Sequence, residues 1–135
     1  MITQQNIAIA QQFLEGIGTG RDPAKIAELF ADDLIFEVQG DEGVLPWIGR
    51  SSGRQALARF VRDARMLVEP ITFHVEDILA SDTRAAIVGD FQSRSKATGK
   101  VISSQFVIVL TIAGDLVTRF QMLEDSFAVA KAVRH

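Results

Sequence analysis

Apolar residues recur with helical spacing along the first half of the chain and with strand-like alternation along the second. Ile7, Ala10, Phe13, Leu14 and Ile17 fall at intervals of three and four, which predicts an amphipathic helix. Gly16, Gly18 and Gly20 thin that helix out and end it. Asp22-Pro23 reads as an N-cap followed by a first-turn proline. The helix it opens carries Ile26, Leu29 and Phe30 on one face and stops near Asp32-Asp33, ahead of a short strand from Leu34 to Val38. A glycine-rich loop from Gly40 to Gly49 holds the only tryptophan, Trp47. Ser52-Gly53-Arg54-Gln55 matches a capping box, in which the serine caps and the glutamine reaches back. Leu57, Phe60, Val61 and Ala64 then make the buried face of a third helix, closed by Pro70.

After Pro70 the pattern changes. Ile71, Phe73, Val75 and Leu79 mostly alternate with polar residues, up to a turn at Ser81-Asp82-Thr83. Ala85 to Ser95 is a second strand, and Ala97 to Lys100 a second turn. Ile102 to Ile112 is apolar on both faces in its second half, which places it centrally in a sheet. Ala113-Gly114-Asp115 turns the chain into a last long strand, Leu116 to Glu124. Short turns between these strands predict an antiparallel meander. The alanine-rich tail, Phe127 to His135, either packs as a short helical turn or frays.

Helical periodicity first and strands second indicate an α+β fold in residues 1–135, read as a single domain. A long twisted sheet curls, and helices against its concave side leave an apolar cup. The other sheet face stays partly apolar from Phe106 to Leu110, and a second copy of the chain is the simplest cover for it. The expected partners are therefore a small hydrophobic ligand in the cup and a homodimer mate on the outer sheet face.

Composition narrows the chemistry. With no cysteine, disulfides, thiolate metal sites and cysteine nucleophiles are excluded. Fourteen Lys and Arg are dispersed among seventeen Asp and Glu, for a net charge of -3, so no basic stripe suggests nucleic acid. The start, Met1-Ile2-Thr3-Gln4-Gln5, does not read as a signal peptide, and Phe106 to Leu110 is too short to span a bilayer. The reading is a cytoplasmic protein without membrane contact. The two histidines, His74 and His135, form no cluster with metal-ligand spacing, so neither metal nor cofactor is expected. His74 alternates with Phe73 and Val75 and is placed toward solvent or a dimer mate. Gly16, Gly18 and Gly20 follow a helix rather than a strand, which argues against a dinucleotide loop.

Leu29-Phe30-Ala31-Asp32-Asp33, Trp47-Ile48-Gly49, Gly53-Arg54, and Gly114 to Phe120 followed by Asp125 occur in an order and spacing that resembles a known family. It is the nuclear transport factor 2-like fold, in the branch of SnoaL-like polyketide cyclases and ketosteroid isomerases, and the likeness runs from about Asn6 to about Ala130. The resemblance implies three helices at the N-terminal side of a strongly curved antiparallel sheet that forms a cone-shaped cup. It does not imply steroid isomerisation, which uses a carboxylate base with a tyrosine and a protonated aspartate. Phe13 stands where that tyrosine should fall, Val38 where the base should fall, and nothing near Phe106 and Val107 ionises. Glu37 is one residue from the base position and, by strand alternation, faces the other way.

Asp125 matches a recurrent acidic position at the end of the last strand of SnoaL-like proteins, which implies a general acid–base; the residues themselves also allow it to cap the C-terminal segment. Asp90 interrupts an apolar strand and is the second catalytic candidate, with surface pairing to Arg94 as the other reading. Gln121 and Leu123 share a strand face with Asp125 and Arg119, so Gln121 either orients a ligand carbonyl or faces solvent. Phe13, Trp47, Phe60 and Phe106 join Gln121 and Leu123 as candidate ligand contacts, with core packing as the alternative for the aromatic residues. The expected function is binding of a hydrophobic or cyclic ligand, with cofactor-free isomerase, cyclase or hydratase chemistry if it is an enzyme. A non-catalytic binding or dimerisation module of the same fold is the alternative.

Overall fold

The computed structural model describes residues 2–134; His135 lies outside the described residues. Helix α1 (Ile2–Gly18) and the short α2 (Pro23–Ala27) precede strands β1 (Phe30–Val38) and β2 (Gly49–Ser52). Helix α3 (Arg54–Leu67) follows, then β3 (Val68–Ala80), β4 (Arg84–Ser95), β5 (Val101–Ala113), β6 (Leu116–Glu124) and helix α4 (Ser126–Val133). The six strands form one sheet in the order β2-β1-β6-β5-β4-β3. The predicted meander is present as β3 to β6, and β5 is central, paired on both sides.

The sheet is mixed rather than wholly antiparallel, because β1 pairs parallel to β6. The chain leaves β2 through α3, enters β3 at the far edge, and returns strand by strand until β6 lies beside β1. The expected three N-terminal helices are likewise only a coarse description: β1 and β2 separate α3 from α1 and α2, and the tail adds a fourth helix.

Two local expectations fail for identifiable reasons. The second helix ends at Ala27 instead of near Asp32, and Phe30 to Asp33 already belong to β1. The strand shifts register between Phe30 and Ile35, so Phe30 and Leu34 are both fully buried while Asp32 and Asp33 are exposed. Phe30 follows the buried Ile26 by four residues, and that spacing imitates a continued helix. Ser52 caps nothing; it pairs with Ile35 in β2. The N-cap of α3 is Gly53, at φ 95°, with no side-chain cap. A side chain at that φ would strain the backbone. Its N–H donates to Leu34 O at 2.7 Å, and Arg54 Nε donates to Phe30 O at 2.8 Å, so the entry to α3 is fastened to β1 instead of capped.

Odd-numbered residues of β4 and even-numbered residues of β5 face the helices: Ala85, Ile87, Ile102, Phe106, Ile108 and Leu110 are all buried. The buried line of α1 is Asn6, Ile9, Ala10, Phe13 and Gly16, with Leu14 and Ile17 beside it. Asn6 is tolerated inside because its Nδ2 donates to Ser81 O at 2.9 Å. Phe120 on β6 is the aromatic centre, stacked on Phe36 at 5.0 Å and set edge-on to Phe13 at 5.9 Å.

Strands β3 and β4 approach most closely at Gly89, where a β-carbon would land against the His74 carbonyl oxygen and 3.0 Å from Phe106 Cζ. Gly89→Ala is therefore expected to lower the urea midpoint, costing roughly 1–3 kcal/mol. An unchanged midpoint would show that the two strands separate freely.

Candidate functional site

An apolar cavity of about 240 Å³ lies between the helices and the inner sheet face. Phe13, Leu14 and Ile17 of α1 form one wall, and Phe60, Val61, Ala64 and Arg65 of α3 another. The loop after β1 adds Leu45 and Trp47, and α4 adds Val129. The sheet supplies Val68, Pro70 and Phe73 from β3, Phe91 and Ser93 from β4, Ile102 and Ile108 from β5, and Met122 and Glu124 from β6. Helix α4 is held over its side by the Arg134–Asp41 ion pair and by Thr98 Oγ1 donating to Ala132 O at 2.6 Å.

Glu124 is the only carboxylate in this lining. Burial pushes its acid up from 4.5 to about 7. No neighbouring charge contributes to that shift, and among the described residues its carboxyl makes no hydrogen bond and no ion pair. An acid that is desolvated but left unpartnered holds its proton to near neutrality. Such a group is populated in both forms at pH 7, as proton transfer in both directions requires. Besides Arg65, two further residues with polar groups line the cavity, Trp47 with its indole and Ser93 with its hydroxyl. Neither has a hydrogen-bond partner among the described residues, so both donors are available to a ligand.

The residues singled out from the sequence divide between two faces. Phe13, Trp47 and Phe60 line the cavity. Phe106 lies behind it, 2% exposed and stacked on Phe73 at 5.1 Å. Gln121 and Leu123 pair with Val109 and Val107 on the outer sheet face, away from the cavity. Asp90 is also on the outer face, where its carboxylate meets His74 Nδ1 at 3.3 Å with both side chains more than half exposed. Arg94, its expected partner, instead donates to Gly99 O at 2.9 Å. Asp125 is exposed and caps α4, accepting from Ala128 N–H at 3.0 Å; its own N–H donates to Ser104 Oγ at 2.8 Å. Asp90 and Asp125 both border an open depression; Phe91 and Glu124 line that depression and the cavity alike, while Asp90 and Asp125 line only the depression. Glu37 faces outward, ion-paired with Arg119 at 2.6 Å, and Val38 faces inward.

Glu124 escaped the sequence reading, which phased the last strand by Gln121, Leu123 and Asp125. A signal was present: Phe120 and Met122 sit two and four residues before Glu124 on the same face, and Phe120 is the largest apolar residue of the strand.

Among the described residues no group of three or more His, Cys, Asp or Glu is placed to hold a metal ion. No described helix is long and apolar enough to cross a membrane.

Comparison with known proteins agrees with this architecture. A family profile described as a SnoaL-like domain matches residues 10–120. A crystal structure of an NTF2-like protein from Burkholderia xenovorans LB400 superposes with a TM-score of 0.87 at 26% identity, covering 98% of each chain. A structure described as a candidate SnoaL-like polyketide cyclase from Mesorhizobium loti gives 0.70 at 23% identity, over 86% of this chain and 96% of that one. A candidate isomerase from Rhodopseudomonas palustris gives 0.79 at 16% identity, over 92% and 94%. No curated protein matches the sequence.

The buried acid has a thermodynamic signature. Below pH 4.5 Glu124 is protonated in both the folded and unfolded chain. Between pH 4.5 and 7 only the unfolded chain ionises it, so stability falls as pH rises, and it levels off above about 7. The expected loss is roughly 3 kcal/mol across that window. It is measured by urea unfolding at stepped pH, and Glu124→Gln should flatten this part of the profile. A wild-type profile matching that of the variant would place the carboxyl in solvent.

Proposed function

Because the chain belongs to the family of SnoaL-like domains, we propose that its cavity binds a compact hydrophobic or cyclic ligand and that Glu124 is the general acid–base of a cofactor-free proton transfer there, of the isomerase, cyclase or hydratase kind. The observation that carries this reading is the unpartnered carboxyl of Glu124, raised to about 7 inside an apolar lining. As carboxylate it takes a proton from a carbon next to an electron-withdrawing group, and as acid it returns one elsewhere on the same ligand. The negative charge that develops on the ligand needs a donor, and the Trp47 N–H and Ser93 O–H are the groups free to supply it. Walls of Phe13, Phe60 and Phe91 exclude water and keep the acid near neutrality. The names isomerase and polyketide cyclase belong to the neighbours; they support this class of chemistry without identifying a substrate.

A non-catalytic binding cup is the second reading. It draws support from the same carboxyl, which no second side chain orients. A general-base probe separates the two. In nitrobenzisoxazole, removal of the ring C–H proton breaks the N–O bond and releases a coloured cyanophenolate. The protein is expected to accelerate this opening, with a rate that rises with pH through about 7. Glu124→Gln should lower the rate roughly a hundredfold or more, while Asp125→Asn, which keeps a competent N-cap, should leave it intact. Equal rates for wild type and Glu124→Gln would leave only the binding cup.

We further propose that a second copy of the chain covers the outer sheet face, where Leu123 is 47% exposed beside the partly exposed Val107 and Val109. Sedimentation velocity at two loading concentrations should give twice the 14.8 kDa chain mass. A species of single-chain mass at both would remove the dimer.

A further inference from the structure

The apolar lining of the cavity is broken by charge in two places, at Glu124 and at Arg65 in the last turn of α3. Arg65 Nη1 donates to Arg21 O at 2.6 Å, and Nη2 to Gly16 O at 3.4 Å. A guanidinium has five N–H donors, so these bonds leave three unspent. A second guanidinium stands at the same spot: Arg21 Nη1 lies 3.5 Å from where a β-carbon on Gly16 would be. Lys96 Nζ donates to the backbone carbonyl of Arg65 at 3.2 Å, which brings a third cation to the end of α3.

Among the described residues no carboxylate forms an ion pair with Arg21, Arg65 or Lys96. In a chain with more acidic than basic residues, three cations gathered without an acid is an unspent charge. The carbonyls at the end of α1 satisfy part of it, as cations near a helix C-terminus do. Leu14, Ile17 and Ala64 line the cavity together with Arg65.

The cations and the acid are also kept apart. Arg65 sits in the last turn of α3 and Glu124 at the end of β6, and among the described residues no ion pair joins them. The cavity is therefore polarised, with a cationic end at α1 and α3 and a single acid at the end of β6.

We propose that the cavity takes an amphipathic anion, with its apolar body between the aromatic walls and an oxyanion headgroup, carboxylate or phosphate, held at Arg65 and Arg21. This orientation rests on the reading of Glu124 as the acid–base group, because it turns the uncharged end of the ligand toward that residue. The reverse orientation would bring two negative groups together in an apolar medium.

Calorimetric titration with octanoate, octyl phosphate, octanol and octylammonium tests this, on wild type and on Arg21→Gln at low and high salt. Arg21 is exposed and its side chain donates no hydrogen bond to the protein among the described residues, so the variant should fold normally. At least one of the two anions is expected to bind about fivefold or more tightly than octanol. Added salt and Arg21→Gln should both erode that preference and leave octanol binding unchanged. The anion that gains more identifies the headgroup. Octanol binding as tightly as both anions would overturn the headgroup site while leaving the apolar cavity and Glu124 as read. Preference for octylammonium would overturn it too, by placing a cation against Glu124. Binding of none of the four would remove the cavity as a ligand site altogether.

Discussion

The stacking of Phe36 on Phe120, with ring planes nearly parallel at 9°, is the contact on which the architecture depends. It joins β1 to β6, the one parallel pair in the sheet, and that pair connects the first strands of the chain with the last of the meander. Phe120 also meets Phe13 from α1 and Phe60 from α3, so one side chain touches both layers. Each aromatic pair adds about 0.5–1.5 kcal/mol beyond the area it buries. The larger effect is on register: with Phe120 held inward, strand alternation turns Met122 and Glu124 inward as well.

That register puts a carboxyl where nothing in the fold needs one. Asp125, one residue on, has what a structural acid has: a backbone N–H to accept from and solvent beside it. Glu124 has neither an acceptor role nor a counter-charge. On its cavity side it meets mostly hydrocarbon and aromatic carbon, and its partial burial there is tolerable because it holds its proton up to about pH 7. Arg65, the cation in the cavity lining, turns instead to the carbonyls of Gly16 and Arg21. This separation of charges makes the cavity more than a packing defect.

Much of the fold was legible in the chain. Helical spacing around Phe13 and Phe60, and alternation through β3 to β6, are local signals that tertiary contacts did not override. The parallel pairing of β1 with β6 was not legible, since it joins residues far apart in sequence and leaves no local trace. Phe30 misled because it follows Ile26 by four residues, the spacing of a helical face, although the helix has ended at Ala27 and Phe30 opens β1. Ser52 misled because its strand pairing outweighed its capping preference. At the site, the aromatic residues Phe13, Trp47 and Phe60 could be picked out as residues facing an apolar interior. Glu124, which lines the cavity, was not singled out, because Leu123 is as apolar as Met122 and invites the opposite phase for the last strand.

The lack of any partner for Glu124 has an evolutionary consequence. Most residues that a chain keeps are kept partly because the fold loses stability without them. Here the reverse holds: replacing this carboxyl with a neutral side chain of the same shape should leave the fold sturdier, and the exchange of glutamate for glutamine needs only one nucleotide. Ordinary drift toward stability would therefore erase the acid unless something else preserved it. In a collection of related chains, the persistence of an acidic residue at this position would measure selection for chemistry, free of the structural constraint that complicates such inferences at most buried positions. Its loss in a branch would mark where a catalyst became a container.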